Sequence, residues 1–351
     1  MEKKEKLAIA LAFSVTLAAG LLHHFQANVV LAFVITAAAL ALLAVIVGDA
    51  TEQLGRRMGP GATGILQSGL GNLPELFVCI FALRAGLTDV VKAALIGSIL
   101  GNSLLVFGLA LFLGGLKNGK QVFISEPPKM IVTLMMLAVA ALMMPSLASE
   151  LHAPAEQHIG KLDVAVSVVL LVVMASSIYF SVRGDPTIVP KAAEHAEKGW
   201  GLPVTLLMLA LASVGAAFVS DWFVEGLKPA MQVLGISDMF AGLVVVAVAG
   251  NAIENVVGIQ LAWRNQADYA VSVILNSSLQ IALGLIPALV LLSYVIGGSI
   301  LTLVLPPLLL VALLLTAIVS AFVVYDGESI WLEGLALIGL YIIIAASFWW
   351  G

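Results

Sequence analysis

The chain has 351 residues, of which 61% are hydrophobic and only 11% charged, with a net charge of -5 and a mean hydropathy of +1.11. So few charges cannot wet the surface of a globule of this size, so a soluble fold is excluded. The single cysteine, Cys79, excludes an intrachain disulfide and any metal site built on several thiolates.

Apolar runs separated by polar punctuation fall at 6–22, 28–48, 61–83, 90–114, 130–148, 164–182, 202–220, 239–263, 269–293, 299–324 and 332–350. Each is long enough to satisfy its backbone as one helix across a ~30 Å hydrocarbon layer. The runs predict an all-α polytopic membrane protein with eleven transmembrane helices. Alternating ten-residue strands, the mark of an outer-membrane barrel, are absent from the pattern. Met1 to Leu22, a basic start before an apolar run, also fits a cleaved signal peptide, but the chain runs on into a second span.

Charge placement sets the expected orientation. With the N-terminus inside, twelve Lys and Arg residues (Lys3, Lys4, Lys6, Arg56, Arg57, Lys117, Lys120, Lys129, Arg183, Lys191, Lys198 and Arg264) face the cytosol, against Arg84, Lys161 and Lys228 outside. The positive-inside rule then puts the N-terminus in the cytosol and the C-terminus outside. Lys92, near a membrane edge, reads as a snorkelling side chain, and Trp349-Trp350 as an interfacial anchor. His23, His24, His152, His158 and His195 read as solvated loop residues, as does Asp163 with Glu150 and Glu156.

The chain repeats itself. Gly71-Asn72-Leu73-Pro74-Glu75 returns as Gly250-Asn251-Ala252-Ile253-Glu254, an offset of 250 − 71 = 179, and Ser98 and Ser277 each follow their Glu by 23 residues. Five crossings separate the copies, so they are inverted. Inverted repeats with interrupted helices near the midplane are the architecture of secondary transporters.

Of the 21 acidic residues, only Glu75 and Glu254 fall well inside apolar helices. A lone carboxylate there costs several kcal/mol unless it is neutralised or given a cation. At equivalent positions of inverted repeats the two converge, and together they ask for a cation. A hard divalent ion such as Ca²⁺ takes about 6–8 oxygens. Asn72 and Asn251 supply amide oxygens one turn before each Glu, and Ser98, Asn102, Ser277, Ser278 and Gln280 further polar groups. Gly71, Pro74 and Gly250 weaken the helices there and free carbonyls. Burial and mutual repulsion let protons replace the cation, and a site never both empty and charged is the basis of obligate exchange. The glycines Gly97, Gly101, Gly250 and Gly258 serve equally as packing points or as hinges.

These residues resemble the calcium/proton exchanger family of the cation/Ca²⁺ exchanger superfamily. The blocks that carry the resemblance are Thr51-Glu52-x-Leu54, Gly71-Asn72-x-x-Glu75-Leu76, Gly97-Ser98-x-x-Gly101-Asn102, Gly250-Asn251-x-x-Glu254, Ser277-Ser278-x-Gln280-Ile281-Ala282, Asp326-Gly327 and Trp331-x-Glu333-Gly334. The resemblance implies an N-terminal helix (1–24) and two inverted five-helix repeats (28–182 and 201–351) joined by a cytosolic linker (183–200). It implies exchange of cytosolic Ca²⁺ for protons across a cell (inner) membrane, with Glu75 and Glu254 as metal ligands. It also implies binding roles for Asn72, Ser98, Asn102, Asn251, Ser277 and Gln280. Asn255 stands where the family's second repeat has His, and Asn276 where it has Gly before the serine pair. Asn255 does not titrate, so coupling rests on the glutamates and Na⁺ remains a rival counter-ion. No intramembrane enzyme motif occurs. Neither catalysis, a resident cofactor nor a nucleic-acid partner is expected, Ca²⁺ being cargo and the bilayer the solvent.

Overall fold

The computed structural model describes residues 3–25, 28–58, 70–183 and 199–350, and only the backbone at 3, 4, 56, 58, 182, 183 and 252–255. The first half of the expected 61–83 span and residues 184–198 of the expected linker therefore lie outside the described residues.

The apolar runs form helices almost throughout. In chain order they are α1 (Lys3–His24), α2 (Val29–Met58), α3 (Leu73–Arg84) and α4 (Thr88–Asn118). After α4 come the two-residue strand β1 (Gln121–Val122), α5 (Glu126–Glu150), α6 (Ile159–Arg183) and α7 (Leu202–Leu234). The rest are α8 (Asp238–Gly250), α9 (Ala252–Trp263), α10 (Ala267–Ser293), α11 (Pro307–Val323), β2 (Glu328–Ser329) and α12 (Trp331–Ser347). Three rods contain a wide π turn: Gly101–Val106 in α4, Ala241–Val246 in α8 and Ile281–Leu285 in α10. Among the described residues seven helices are long and apolar enough to cross a membrane.

The centre of the bundle is α4 and α10, whose most apolar stretches are 78% and 72% buried, against 11% for α1 at the rim. α2 packs along α7, α12 along α4, and α5 against α11. α4 crosses α8 so closely that their backbones touch. A Cβ on Gly242 would lie 2.7 Å from the Ala93 Cβ and 3.0 Å from the Ala94 nitrogen, and one on Gly97 would strike the Leu243 backbone. Close approach through glycine is how helices associate where solvent gives no hydrophobic drive. β1 pairs antiparallel with β2, Gln121 opposite Ser329, tying the α4–α5 connection to the α11–α12 connection.

Three expectations are corrected and one is sharpened: the run 239–263, expected to be weakened at Gly250, is two helices, broken at Asn251 (φ -97°, ψ 24°). The run 202–220 continues as helix to Leu234, with Glu225 and Lys228 facing outward and Asp221 half-buried. The run 299–324 is helical only from Pro307. Pro306 and Pro307 force the residue before each out of the helical region, and the preceding seven residues are non-helical. Finally, His23 is no loop residue: its Nε2 lies 2.7 Å from Glu225 Oε2 and its ring stacks on Trp222.

A candidate cation site at two helix breaks

Asn72 interrupts the chain before α3 much as Asn251 interrupts it before α9, with φ -91° and ψ 15° against φ -97° and ψ 24°. Both sit near the sparsely allowed bridge region, where a helix cannot continue. Glu75 and Glu254 are each the third residue of the helix that restarts. Unpaired N–H groups and the positive end of the helix dipole favour a carboxylate at that place. Pro74, in the first turn of α3, has no N–H to lose there.

Glu75 is buried, 6% exposed. Its Oε1 accepts a hydrogen bond from Ser98 Oγ at 2.7 Å and from Asn251 Nδ2 at 2.5 Å. The Asn251 amide also reaches Ser98 Oγ (2.8 Å) and the Ala247 carbonyl (2.9 Å). Asn102 Nδ2 donates to Asn251 Oδ1 at 3.2 Å and to Ser277 Oγ at 3.0 Å. One continuous network thus joins α3, α4, the break before α9, and α10. Among the described residues, Asn102 Oδ1 and Asn72 Nδ2 are buried with no partner, a costly condition unless something fills it.

Gly250 forms the wall behind Glu75. A Cβ there would lie 2.5 Å from Glu75 Cγ and 3.2 Å from Cδ and Oε1. Beside Glu75 opens a cavity lined also by Cys79, Leu95, Ser98 and Val246. Five of the expected site residues, Glu75, Ser98, Asn102, Asn251 and Ser277, therefore meet in one network. Asn72 and Gly71 stand at the break itself, Gly71 ending a π turn. Gln280 is half-buried and takes no part in these hydrogen bonds. The side chain of Glu254 lies outside the described residues, and its backbone occupies the α9 position equivalent to Glu75.

Sequence reasoning missed Ser103. Its Oγ lies 2.8 Å from Ser278 Oγ, and both are fully buried at the crossing of α4 and α10. A hydroxyl directly after Asn102 in an apolar run was the available signal. Among the described residues no group of three or more His, Cys, Asp or Glu side chains is assembled. The polar groups offered are carboxylate, amide and hydroxyl, and their oxygens suit a hard cation better than a transition metal.

The sequence matches the profile of the family "Sodium/calcium exchanger protein" over residues 28–183 and 204–350. It is 33% identical over 343 residues to a Ca(2+)/H(+) antiporter of Aphanothece halophytica, covering 93% of this chain and 92% of that one. It is likewise 33% identical over 336 residues to the Ca(2+)/H(+) antiporter ChaA of Bacillus subtilis, covering 94% of each chain. The solved structure of native YfkE superposes with a TM-score of 0.84 at 28% identity, over 97% of this chain and 99% of that one. The chain is an integral membrane protein and belongs to the sodium/calcium exchanger family, among members that carry Ca²⁺/H⁺ antiporter names.

Proposed function

We propose that this protein is a secondary antiporter that moves Ca²⁺ out of the cytosol in exchange for protons by alternating access, with Glu75 and Glu254 as the shared binding site. The observation that carries this reading is the buried Glu75 carboxylate, held by Ser98 and Asn251 beside the unpartnered oxygen of Asn102. In water a carboxylate holds no ion tightly. In this dry setting it needs a positive partner, and amide and hydroxyl oxygens complete a shell. Asn72, Ser98, Asn102, Asn251, Ser277 and Gln280 are assigned to that shell, with Gly71 and Gly250 leaving room for it.

On this reading eleven helices cross a cell (inner) membrane, the breaks counted as one span each, with the N-terminus in the cytosol. The N-terminal helix (1–24) precedes two inverted five-helix repeats (28–182 and 201–351), joined by a cytosolic linker (183–200). The 179-residue offset and the matching dihedrals of Asn72 and Asn251 support the duplication. Inversion supplies one access route to each face.

The test is ⁴⁵Ca²⁺ uptake into inverted vesicles. Glu75→Gln and Glu254→Gln each abolish uptake while the purified protein keeps its elution volume, and wild-type uptake in either variant removes the site. Asn255 favours one rival, coupling to Na⁺, because it leaves no second titrating group beside Glu254. Proteoliposomes given a pH gradient alone or a Na⁺ gradient alone separate the two: uptake follows the pH gradient on the leading reading.

A further inference from the structure

Between α10 and α11 the chain runs as a non-helical segment, Ser299 to Leu305, in which alternate residues Leu301, Leu303 and Leu305 are only 2%, 3% and 6% exposed. Irregular backbone at membrane depth survives only where protein or a wet cavity satisfies it. Here other elements satisfy it. Ser299 N donates to the Leu83 carbonyl at 3.1 Å and Leu301 N to Ser293 Oγ at 3.1 Å. Ser146 on α5 donates to the Leu303 carbonyl and accepts from Leu305 N, each at 2.9 Å. Lys92 on α4, expected to snorkel toward the membrane surface, instead donates to the Val304 carbonyl at 2.6 Å and to Thr302 Oγ1 at 3.2 Å.

This segment lies across the end of the helix that carries Glu75. Gly298 (φ 101°) rests on the last residues of α3, where an added Cβ would be 2.7 Å from Arg84 Cα. Beneath it are two cavities in series. One is walled by Glu75, Cys79, Leu95 and Ser98, the other by Lys92, Leu95, Leu301, Thr302 and Leu303, and Leu95 is the wall they share. The two cavities are separated by the Leu95 side chain. Asp89 and Asp163 attract the Lys92 ammonium at longer range. Asp163, expected in a solvated loop, is fully buried, with the Leu303 backbone and Lys92 among the groups that act on its carboxylate.

The other repeat carries a counterpart. Gly119 (φ 77°) precedes Gly298 by 179 residues, and Leu83 and Arg84 precede Ala262 and Trp263 by the same 179. There Asn118 Nδ2 donates to the Ala262 carbonyl at 3.1 Å and Lys117 Nζ to the Trp263 carbonyl at 3.1 Å. The helix of Glu75 thus ends under the connection that follows α10, and the helix of Glu254 ends against the last residues of α4.

We propose that Ser299 to Leu305 is the gate at one mouth of the transport passage and that Lys92 is the latch that holds it shut. The latch is positional: Lys92 touches the gate, not the transported ion. The ammonium ties the segment to α4 and is attracted at longer range by Asp89 and Asp163. The inference rests on the transport reading above, which puts this mouth outside the cell.

Cys79 tests it, because it is the only cysteine in the chain and lines the cavity between Glu75 and Leu95. The probe is a membrane-impermeant, positively charged thiosulfonate, applied to vesicles of each orientation, with Cys79→Ser as the blank. Loss of hydrogen bonds from a charged donor should open the segment enough to raise the Cys79 reaction rate about tenfold in Lys92→Met. The rise occurs from the face that bears the gate and not from the other, and Lys92→Arg keeps the wild-type rate. An unchanged rate, or a rise equal from both faces, overturns the gate. If Lys92→Met does not fold, Ser146→Ala frees the same segment from α5 and is read the same way. Labelling needs no transport, so uptake surviving in Glu75→Gln sinks the site without touching this contrast, and unchanged labelling sinks the gate without touching the site.

Discussion

The absence of a side chain at Gly250 sets where the Glu75 carboxylate can be. An alanine methyl 2.5 Å from Glu75 Cγ overlaps that side chain, so the carboxylate must shift away from Ser98 and Asn251. Losing hydrogen bonds to a charged group costs ~1.5–3 kcal/mol. Gly250→Ala is therefore expected to weaken Ca²⁺ binding about tenfold or more in equilibrium ⁴⁵Ca²⁺ titrations. Gly258→Ala is the fitting comparison. Its methyl would meet Ile274 Cγ1 and Cδ1 at 2.5 and 2.7 Å, so the cost falls on packing: a lower unfolding temperature with Ca²⁺ affinity retained. Equal affinity losses in the two variants would mean that Gly250 acts through the bundle and not through Glu75. Sequence alone marked Gly250 as a helix-weakening residue. Its role in close approach became visible only with the opposite repeat in place.

Among the elements, α4 and α10 carry the cross-repeat contacts. Consecutive polar residues on each, Asn102 and Ser103 against Ser277 and Ser278, meet where the rods cross. On α4 that pair lies within a π turn, and on α10 it lies just before one. The Ser103–Ser278 bond is sheltered from water, yet such bonds inside a membrane bundle average only ~0.6 kcal/mol, because the unfolded helices find other partners. Ser103→Ala and Ser278→Ala are each expected to destabilise the protein by about that amount, and the double variant by little more than one of them. Reversible unfolding in mixed detergent micelles measures this, and strict additivity would show the pair does not interact. Hydropathy predicted both rods correctly but could not reveal the π turns, which leave no compositional mark. The break near Asn251 was signalled by Gly250 and the polar motif around it, but its place at Asn251 lies in two backbone dihedrals.

Across the whole molecule, the sequence made the helical membrane fold legible through long apolar runs, and much of the site through a repeated motif at one offset. The non-helical segment before α11 was not legible, since Leu301, Leu303 and Leu305 have the same hydropathy in a helix as in a strap. Nor was the buried place of Asp163, which follows from how distant elements pack around it. On the proposed reading the repeat sets the energetic logic of exchange: two carboxylates sharing a dry site could not be left empty and charged, so ion entry would be coupled to proton exit. Lower pH places more protons on the glutamates and weakens Ca²⁺ binding. Reciprocity then requires Ca²⁺ to expel those protons. Where both glutamates begin protonated, adding Ca²⁺ to purified protein in weak buffer is expected to release about two protons per ion bound, and apparent affinity to fall about a hundredfold per pH unit lowered. A pH-indicator dye recorded beside the binding isotherm gives both numbers. In Glu75→Gln the release drops to about one proton or less, since only Glu254 is left to titrate. Binding of Ca²⁺ with no proton release, together with competition by Na⁺, would transfer the coupling to sodium while leaving the fold and the site geometry as they are.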